Sequence, residues 1–330
     1  MGNQNWTFWL NLNFKKRFRV GNIKLIPAKQ QAVNFTSFLA PLQQHFHCFP
    51  KIFILTKPKN ELMTTHTVLK AILSYFYPMN ISLKNQRILV TGASRGIGRA
   101  IAKQLSKSGA EVIIHYNSNK LEAEKLKNEL QNLSFTESCD LSEADHVIGF
   151  IPRLVQKYGP ISALVNNAGI SPSAADSLPT DEWLKIWDHA LSVNTTAVGI
   201  LCKEFVDHAK TQQNGRIVNI SSRAAFRGDT TDYIAYAASK GAIVSLTRSI
   251  ARHYGKQGIK AFLIAPGFTR TDMANAILEE YGEDFALNDI ALNELTTPED
   301  IAPMVTLLCS GLADHATGTS IDMNAGSYVR

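Results

Sequence analysis

A short apolar run, Ile88-Leu89-Val90, stops at three glycines, Gly92, Gly96 and Gly98. A helical pattern follows at once: Ile97, Ala100, Ile101 and Leu105. That order predicts a strand, a tight turn and a helix N-terminus. Glycine lets the backbone come close to a ligand, and a helix start offers unpaired N–H groups with a partial positive charge. The natural occupant is a dinucleotide pyrophosphate. A unit of this kind also needs a second parallel strand beside the first, which constrains the rest of the chain to alternate strand and helix.

The following residues meet that demand. Strands are predicted at 86–91, 111–116, 134–138, 161–165, 215–220, 259–264 and 318–322. Helical patterns fill the gaps at 97–108, 119–132, 142–157, 181–210, 233–256 and 298–310. Apolar strands alternating with helices predict an α/β fold. It is one Rossmann-type doubly wound parallel sheet of about seven strands with helices on both faces. Ligands then belong at the carboxyl ends of the strands.

The first 78 residues are different. They carry ten basic side chains and one acid, Glu61, so that a net charge of +9 sits here and −3 on residues 79–330. The overall charge of +6 therefore comes from the front of the chain and is no sign of a nucleic-acid binder. We read 1–78 as a poorly structured basic extension outside the working protein, with translation starting at Met79. A targeting segment is one rival reading. A surface-binding arm is another, with Trp6, Phe8, Trp9 and Phe14 beside the basic run Lys15–Arg19. Residues 79–330 form the nucleotide-binding domain. The cysteines, Cys48, Cys139, Cys202 and Cys309, are far apart and form no metal-ligand pair. No apolar run reaches the ~18–20 residues of a membrane span. The expected compartment is the cytosol, with no metal, no nucleic-acid partner, and no membrane partner unless the extension is real.

The cofactor can be narrowed. An NAD site usually has an acid at the end of the second strand to hold the ribose 2′-hydroxyl. Here that stretch reads His115-Tyr116-Asn117-Ser118-Asn119-Lys120, without an acid. Arg95 lies inside the glycine turn, where a guanidinium can pair with a 2′-phosphate. The preference is NADP(H) over NAD(H). Contacts are expected from Gly92, Ser94, Arg95, Gly96, Ile97, Gly98, Asn117 and Ser118. Asp140 and Leu141 follow the third strand, where an Asp can accept from the adenine amino group or cap the next helix. Asn167, Ala168 and Gly169 end the fourth strand, with room for the adenosine ribose.

Chemistry is carried by Tyr236 and Lys240. A spacing of four places both on one helix face. An ammonium near a phenol lowers its pKa from ~10, making it a usable general acid for a carbonyl. Spacing alone is weak, since Tyr116 and Lys120 repeat it. Ser222 supplies the context: it ends a strand fourteen residues before Tyr236, and its hydroxyl can bond the same carbonyl oxygen.

Together these pieces resemble the short-chain dehydrogenase/reductase family over essentially all of 82–330. The matching parts are the turn Thr91–Gly98, Asn166-Asn167-Ala168-Gly169, Ser222, Tyr236-x3-Lys240 and Pro266-Gly267. The resemblance implies that Tyr236 gives or takes the proton. It implies that Lys240 tunes Tyr236 and binds the nicotinamide ribose, and that Ser222 orients the carbonyl. Asn194 would hold a water joining Lys240 to solvent. Pro266, Gly267, Thr269 and Thr271 would form the nicotinamide-side loop, although Thr269 stands where an aliphatic residue is commoner. Residues 273–297 read as a loose helical lid with Glu279, Glu280, Glu283 and Asp284, an acidic group that is a solvated face. The family also implies a homotetramer or homodimer.

Within the family the pattern is nearest the 3-oxoacyl-carrier-protein reductase type, with a carrier-bound acyl thioester as substrate. Sugar and polyol dehydrogenases are an alternative, and a non-catalytic NADP-binding scaffold is a rival of another class. Arg223 and Arg227 could meet an anionic substrate or carrier but read more simply as solvated loop arginines. Trp183 and Trp187, four apart, read as core or interface residues.

Overall fold

A computed structural model describes residues 81–329 apart from 273, 275–277 and 279–281. The expected start at Met79, the extension 1–78, and Glu279 and Glu280 of the expected lid lie outside the described residues. Seven strands form one parallel sheet: β1 (Arg87–Val90), β2 (Glu111–Tyr116), β3 (Ser134–Ser138), β4 (Ala163–Asn166), β5 (Gly215–Ile220), β6 (Ile259–Pro266) and β7 (Ser320–Met323). Their order is β3-β2-β1-β4-β5-β6-β7. The chain winds outward from β1 to β3, then returns to place β4 on the other side of β1. That reversal opens a crevice between the carboxyl ends of β1 and β4.

Alternation along each strand builds two cores. Leu89, Ile113, Leu164, Ile217 and Leu263 face one side. They meet α4 (Phe150–Tyr158), α6 (Ala197–Gln212) and α8 (Ile234–Tyr254). Ile88, Val90, Ile114, Val218 and Ile264 face the other side, against α1 (Gly96–Lys107), α2 (Lys120–Glu129) and α10 (Pro298–Ser310). Successive strand side chains point to opposite faces, so a strand covered on both sides must be apolar throughout. Each fully buried Ile or Leu contributes about 1.5–3 kcal/mol against its exposed state.

Two helices differ from the sequence expectation. The span 142–157 is broken into α3 (Ala144–Val147) and α4 by Gly149, at φ 80°. The Glu204 carboxylate, from α6, accepts the N–H groups of Gly149 at 2.5 Å and Ile151 at 3.1 Å. It satisfies donors that a helix start leaves without partners. The span 181–210 contains a π turn, Ser192–Thr196, between α5 (Thr180–Leu191) and α6. Among the described residues, two further short α-helices are α7 (Ala224–Arg227) and α9 (Glu283–Leu287). No helix among the described residues is long and apolar enough to cross a membrane.

Candidate active site

The residues singled out in the sequence gather at the carboxyl ends of the strands. After β1 the chain turns at Gly92, whose φ of 61° suits glycine. A Cβ there would lie 2.9 Å from the Ala168 Cα, so the turns after β1 and β4 touch through backbone. Thr91 ties them. Its Oγ accepts the N–H groups of Asn167 at 2.9 Å and Ala168 at 3.0 Å. The Asn167 amide donates back to Thr91 O at 2.9 Å and Gly92 O at 3.1 Å.

Arg95 occupies the N-cap of α1 with extended backbone and makes no side-chain cap. The N–H groups of Gly96, Ile97 and Gly98 have no acceptor in their own helix, as at any helix start. Gly98 packs so closely that an added Cβ would sit 2.5 Å from Asn167 Nδ2 and 3.0 Å from Ala93 Cα. These features fit a pyrophosphate: free donors, close backbone and the positive end of a dipole. Ser94 is buried, whereas Arg95, Asn117 and Ser118 are exposed at the rim.

Asp140 forms a turn of its own. Its Oδ1 accepts Ser142 N–H at 2.9 Å and the Ser142 hydroxyl at 2.8 Å. These bonds hold its carboxyl below the usual range. α3 begins only at Ala144, so Asp140 is not the cap of a helix starting at 142. Leu141 beside it is buried.

The other cluster lies at the ends of β4 and β5 and on α8. Asn194, buried in the π turn, donates from Nδ2 to Ile170 O at 2.8 Å and Ser239 Oγ at 3.0 Å. Its Oδ1 accepts Ile170 N–H at 2.9 Å. A Cβ on Gly169 would lie 3.1 Å from both Asn194 Oδ1 and Lys240 Nζ, so the two side chains converge on this glycine. Lys240 is buried and donates to Ile220 O at 3.0 Å, at the end of β5. Ser221 is excluded from reacting chemistry because its hydroxyl donates to Lys240 O at 2.9 Å. Ser222 Oγ accepts Ala224 N–H at 3.1 Å and shares a side-chain hydrogen bond with Tyr236.

The electrostatics differ from the expectation. Lys240 Nζ is 5.8 Å from the Tyr236 ring centroid and is turned toward the Ile220 carbonyl. Burial pushes the Tyr236 phenol up, while the Ser222 hydrogen bond and the Arg223 charge pull it back. Burial also pushes Lys240 down, to about 8. Here the lowering of Tyr236 comes from Ser222 and Arg223, and desolvation outweighs it.

On the third side, Pro266 O accepts Arg223 N–H at 2.9 Å, and Gly267 N–H donates to Met323 O at 3.0 Å. The Thr269 hydroxyl donates to Gly267 O at 3.1 Å and that of Thr271 to Thr269 O at 3.3 Å. The Thr271 methyl would be 3.4 Å from a Cβ at Gly96, so this loop reaches over the glycine turn. A threonine at 269 suits the place because its hydroxyl closes the loop on itself. Arg223 is half-buried and Arg227 stays exposed, as expected of a solvated loop arginine, yet both pair with Asp289, at 2.5 and 3.0 Å. That pair fastens the segment after Ser222 to residues following α9. Trp183 and Trp187 stack with centroids 5.1 Å apart.

Sequence reading missed His115. Its Nδ1 accepts Gly92 N–H at 3.0 Å and its Nε2 meets Cys139 O at 3.0 Å. Burial pushes it down to about 4. A histidine within an apolar strand was the available signal, but periodicity says nothing of its partners.

Comparisons with known proteins agree with this geometry. A family profile described as Enoyl-(Acyl carrier protein) reductase matches residues 92–327. The chain is 35% identical over 244 residues to the 3-oxoacyl-(acyl-carrier-protein) reductase FabG of Staphylococcus aureus strain Mu50, covering 73% of this chain and 97% of that one. It is 33% identical over 253 residues to the reductase of the same name from Aquifex aeolicus, covering 76% and 100%. A crystal structure of a short chain dehydrogenase from Burkholderia cenocepacia in complex with NADP superposes with a TM-score of 0.68 at 30% identity. It covers 74% of this chain and 98% of that one.

Proposed function

Since this chain belongs to the short-chain dehydrogenase/reductase family and is an NAD(P)-dependent oxidoreductase, we propose that it reduces the ketone of a 3-oxoacyl thioester, using NADP(H). The observation that carries this is the meeting of Ser222, Tyr236, Lys240 and Asn194 beside the glycine turn, where β1, β4 and β5 end.

Bound NADP(H) supplies or accepts the hydride. The free N–H groups of Gly96, Ile97 and Gly98 would hold its pyrophosphate, with Ser94 and Thr271 closing round them. Asp140, Leu141, Asn167 and Ala168 would border the adenosine. Arg95, Asn117 and Ser118 lie at the rim with no acid among them, which favours a 2′-phosphate over a bare ribose. Pro266, Gly267 and Thr269 would line the nicotinamide side.

Tyr236 donates its phenolic proton to the substrate oxygen while Ser222 hydrogen-bonds the same atom. The two hydroxyls lie side by side, and a carbonyl oxygen has a lone pair for each. Lys240 keeps a positive charge next to Tyr236 and would bind the nicotinamide ribose. The Asn194 amide bonds Ile170 and Ser239, and its Oδ1, with one lone pair left, would hold a water joining Lys240 to solvent. The relatives' names support an acyl carrier protein as the substrate's bearer. We place the enzyme in the cytoplasm as a homotetramer or homodimer.

The test is NADPH oxidation at 340 nm with acetoacetyl thioesters, and with ketoses and ketosteroids for comparison. Turnover of the thioester with a higher kcat/KM for NADPH than for NADH is expected. Tyr236→Phe should lower kcat by about 10²–10⁴-fold, as loss of a general acid does, with NADPH affinity kept. Tight NADPH binding without turnover of any carbonyl would instead favour the scaffold reading.

A further inference from the structure

His115 has no part in the proposed chemistry, yet it is buried at the hinge of the cofactor crevice. It stands near the end of β2. Its carbonyl accepts Ala93 N–H at 2.9 Å while its ring accepts Gly92 N–H at 3.0 Å. An N–H can only donate, so Nδ1 must be the bare nitrogen. Nε2 then carries the proton and donates to Cys139 O at 3.0 Å. Phe150 packs on the ring edge-on at 5.6 Å. One imidazole therefore joins the first bend of the glycine turn to the residue preceding Asp140 and Leu141.

We infer that His115 is the positioning residue of the dinucleotide site: as the neutral Nε2–H tautomer it fixes the glycine turn against the adenosine-side turn at 139–141. The inference rests on the NADP(H) reading for its effect on binding, but not for its effect on the turn. With both Gly92 and Ala93 donors held by residue 115, the path of the chain into α1 is set, and with it the aim of the free N–H groups at Gly96–Gly98. A 1 Å misplacement of such donors is enough to cost a large factor in binding or rate.

Two amide variants separate the ring's two bonds. In His115→Asn the amide oxygen takes the place of Nδ1 and keeps the acceptor for Gly92. In His115→Gln the longer amide reaches toward Cys139 and leaves Gly92 N–H bare. Two readouts apply: NADPH Kd by fluorescence, and hydrogen exchange of the 91–98 amides in protein without nucleotide. For Gln we expect at least tenfold weaker NADPH binding, faster exchange at 91–98, and kcat at saturating NADPH within threefold of the parent. For Asn, which keeps the Gly92 bond and loses the one to Cys139, we expect exchange at 91–98 near the parent and NADPH binding weaker than the parent's but tighter than that of Gln. Equal loss in both variants, tracking Tm alone, would overturn the positioning role, and so would an unchanged Kd and exchange in Gln. If the parent itself fails to bind NADPH, the cofactor reading falls and the exchange comparison still decides the role of His115. Should the variants not fold, ¹⁵N NMR of the parent at neutral pH must show Nδ1 unprotonated; an Nδ1–H tautomer refutes the inference.

Discussion

Gly98→Ala adds one carbon where the backbone of α1 presses on the turn it leaves. That carbon would overlap the Gly92 carbonyl oxygen, lie 2.5 Å from Asn167 Nδ2 and 3.0 Å from Ala93 Cα. None of these neighbours can yield freely. The first and last are backbone, and the Asn167 amide is held by Thr91 O and Gly92 O. Reaching 3.0 Å from the amide requires a withdrawal of at least about 0.5 Å in a close-packed interior. Overpacking of this kind costs about 1–3 kcal/mol in stability. The same withdrawal retracts the N–H groups that would hold the pyrophosphate. We expect NADPH binding to weaken about 10–100-fold, or roughly 1.4–2.7 kcal/mol. The assay is NADPH titration by fluorescence with a thermal melt alongside. Gly199→Ala is the control, because a Cβ there meets nothing within 4 Å. In the interior of α6 it should stabilise by about 0.5–1 kcal/mol and leave Kd alone. A Gly98→Ala protein with parental Kd and Tm would refute the argument that close backbone contact shapes this site.

Other outcomes follow from burial and pairing. Lys240 is held down to about 8 from 10.5, so between those values the unfolded chain binds a proton that the folded chain does not. Stability should rise with pH across that window, and urea melts of Lys240→Met should lack the rise; a rise that persists removes Lys240 as its source. His115 is held down to about 4 from 6.5. Its contribution is full above pH 6.5 and is lost as pH falls toward 4, by roughly 3 kcal/mol. The stability of the parent relative to His115→Asn should fall as pH drops through that range, and a constant difference contradicts the assignment. Asp314 pairs twice with the buried Arg216, at 2.8 and 2.9 Å. Asp314→Ala strands that guanidinium and should cost about 1–3 kcal/mol, less than a fully buried pair because Asp314 is partly exposed. NADPH affinity should not change, and a Tm equal to the parent's would show the pair to be idle.

Much of the architecture can be read from local pattern. The seven strands are visible because strands covered on both faces must be apolar along their length, and the glycine turn because only a few conformations join a strand to a helix so tightly. The order of Gly92–Gly98, Asn166–Gly169, Ser222 and Tyr236-x3-Lys240 marked the crevice for the same reason: each sits where a strand ends. Other features were hidden. The break at Gly149 is fixed by Glu204, fifty-five residues on. The pairing of Arg223 and Arg227 was hidden because their shared partner, Asp289, lies sixty-two residues beyond Arg227. Lys240 and Tyr236 were correctly set on one face, but the direction of the phenol's shift depends on how deeply the pair is buried and on which carbonyl takes the ammonium.

The sequence by itself determined the alternation of strand and helix, the tight glycine turn and the residue types that stand where the strands end. These depend on periodicity and backbone freedom over a few residues. Only the tertiary structure decided which groups share a hydrogen bond or a charge: His115 with the first bend of the turn, Asn194 and Lys240 at Gly169, Arg223 with Asp289. Such pairings act over a few ångströms between elements far apart in the chain, and packing brings them into range.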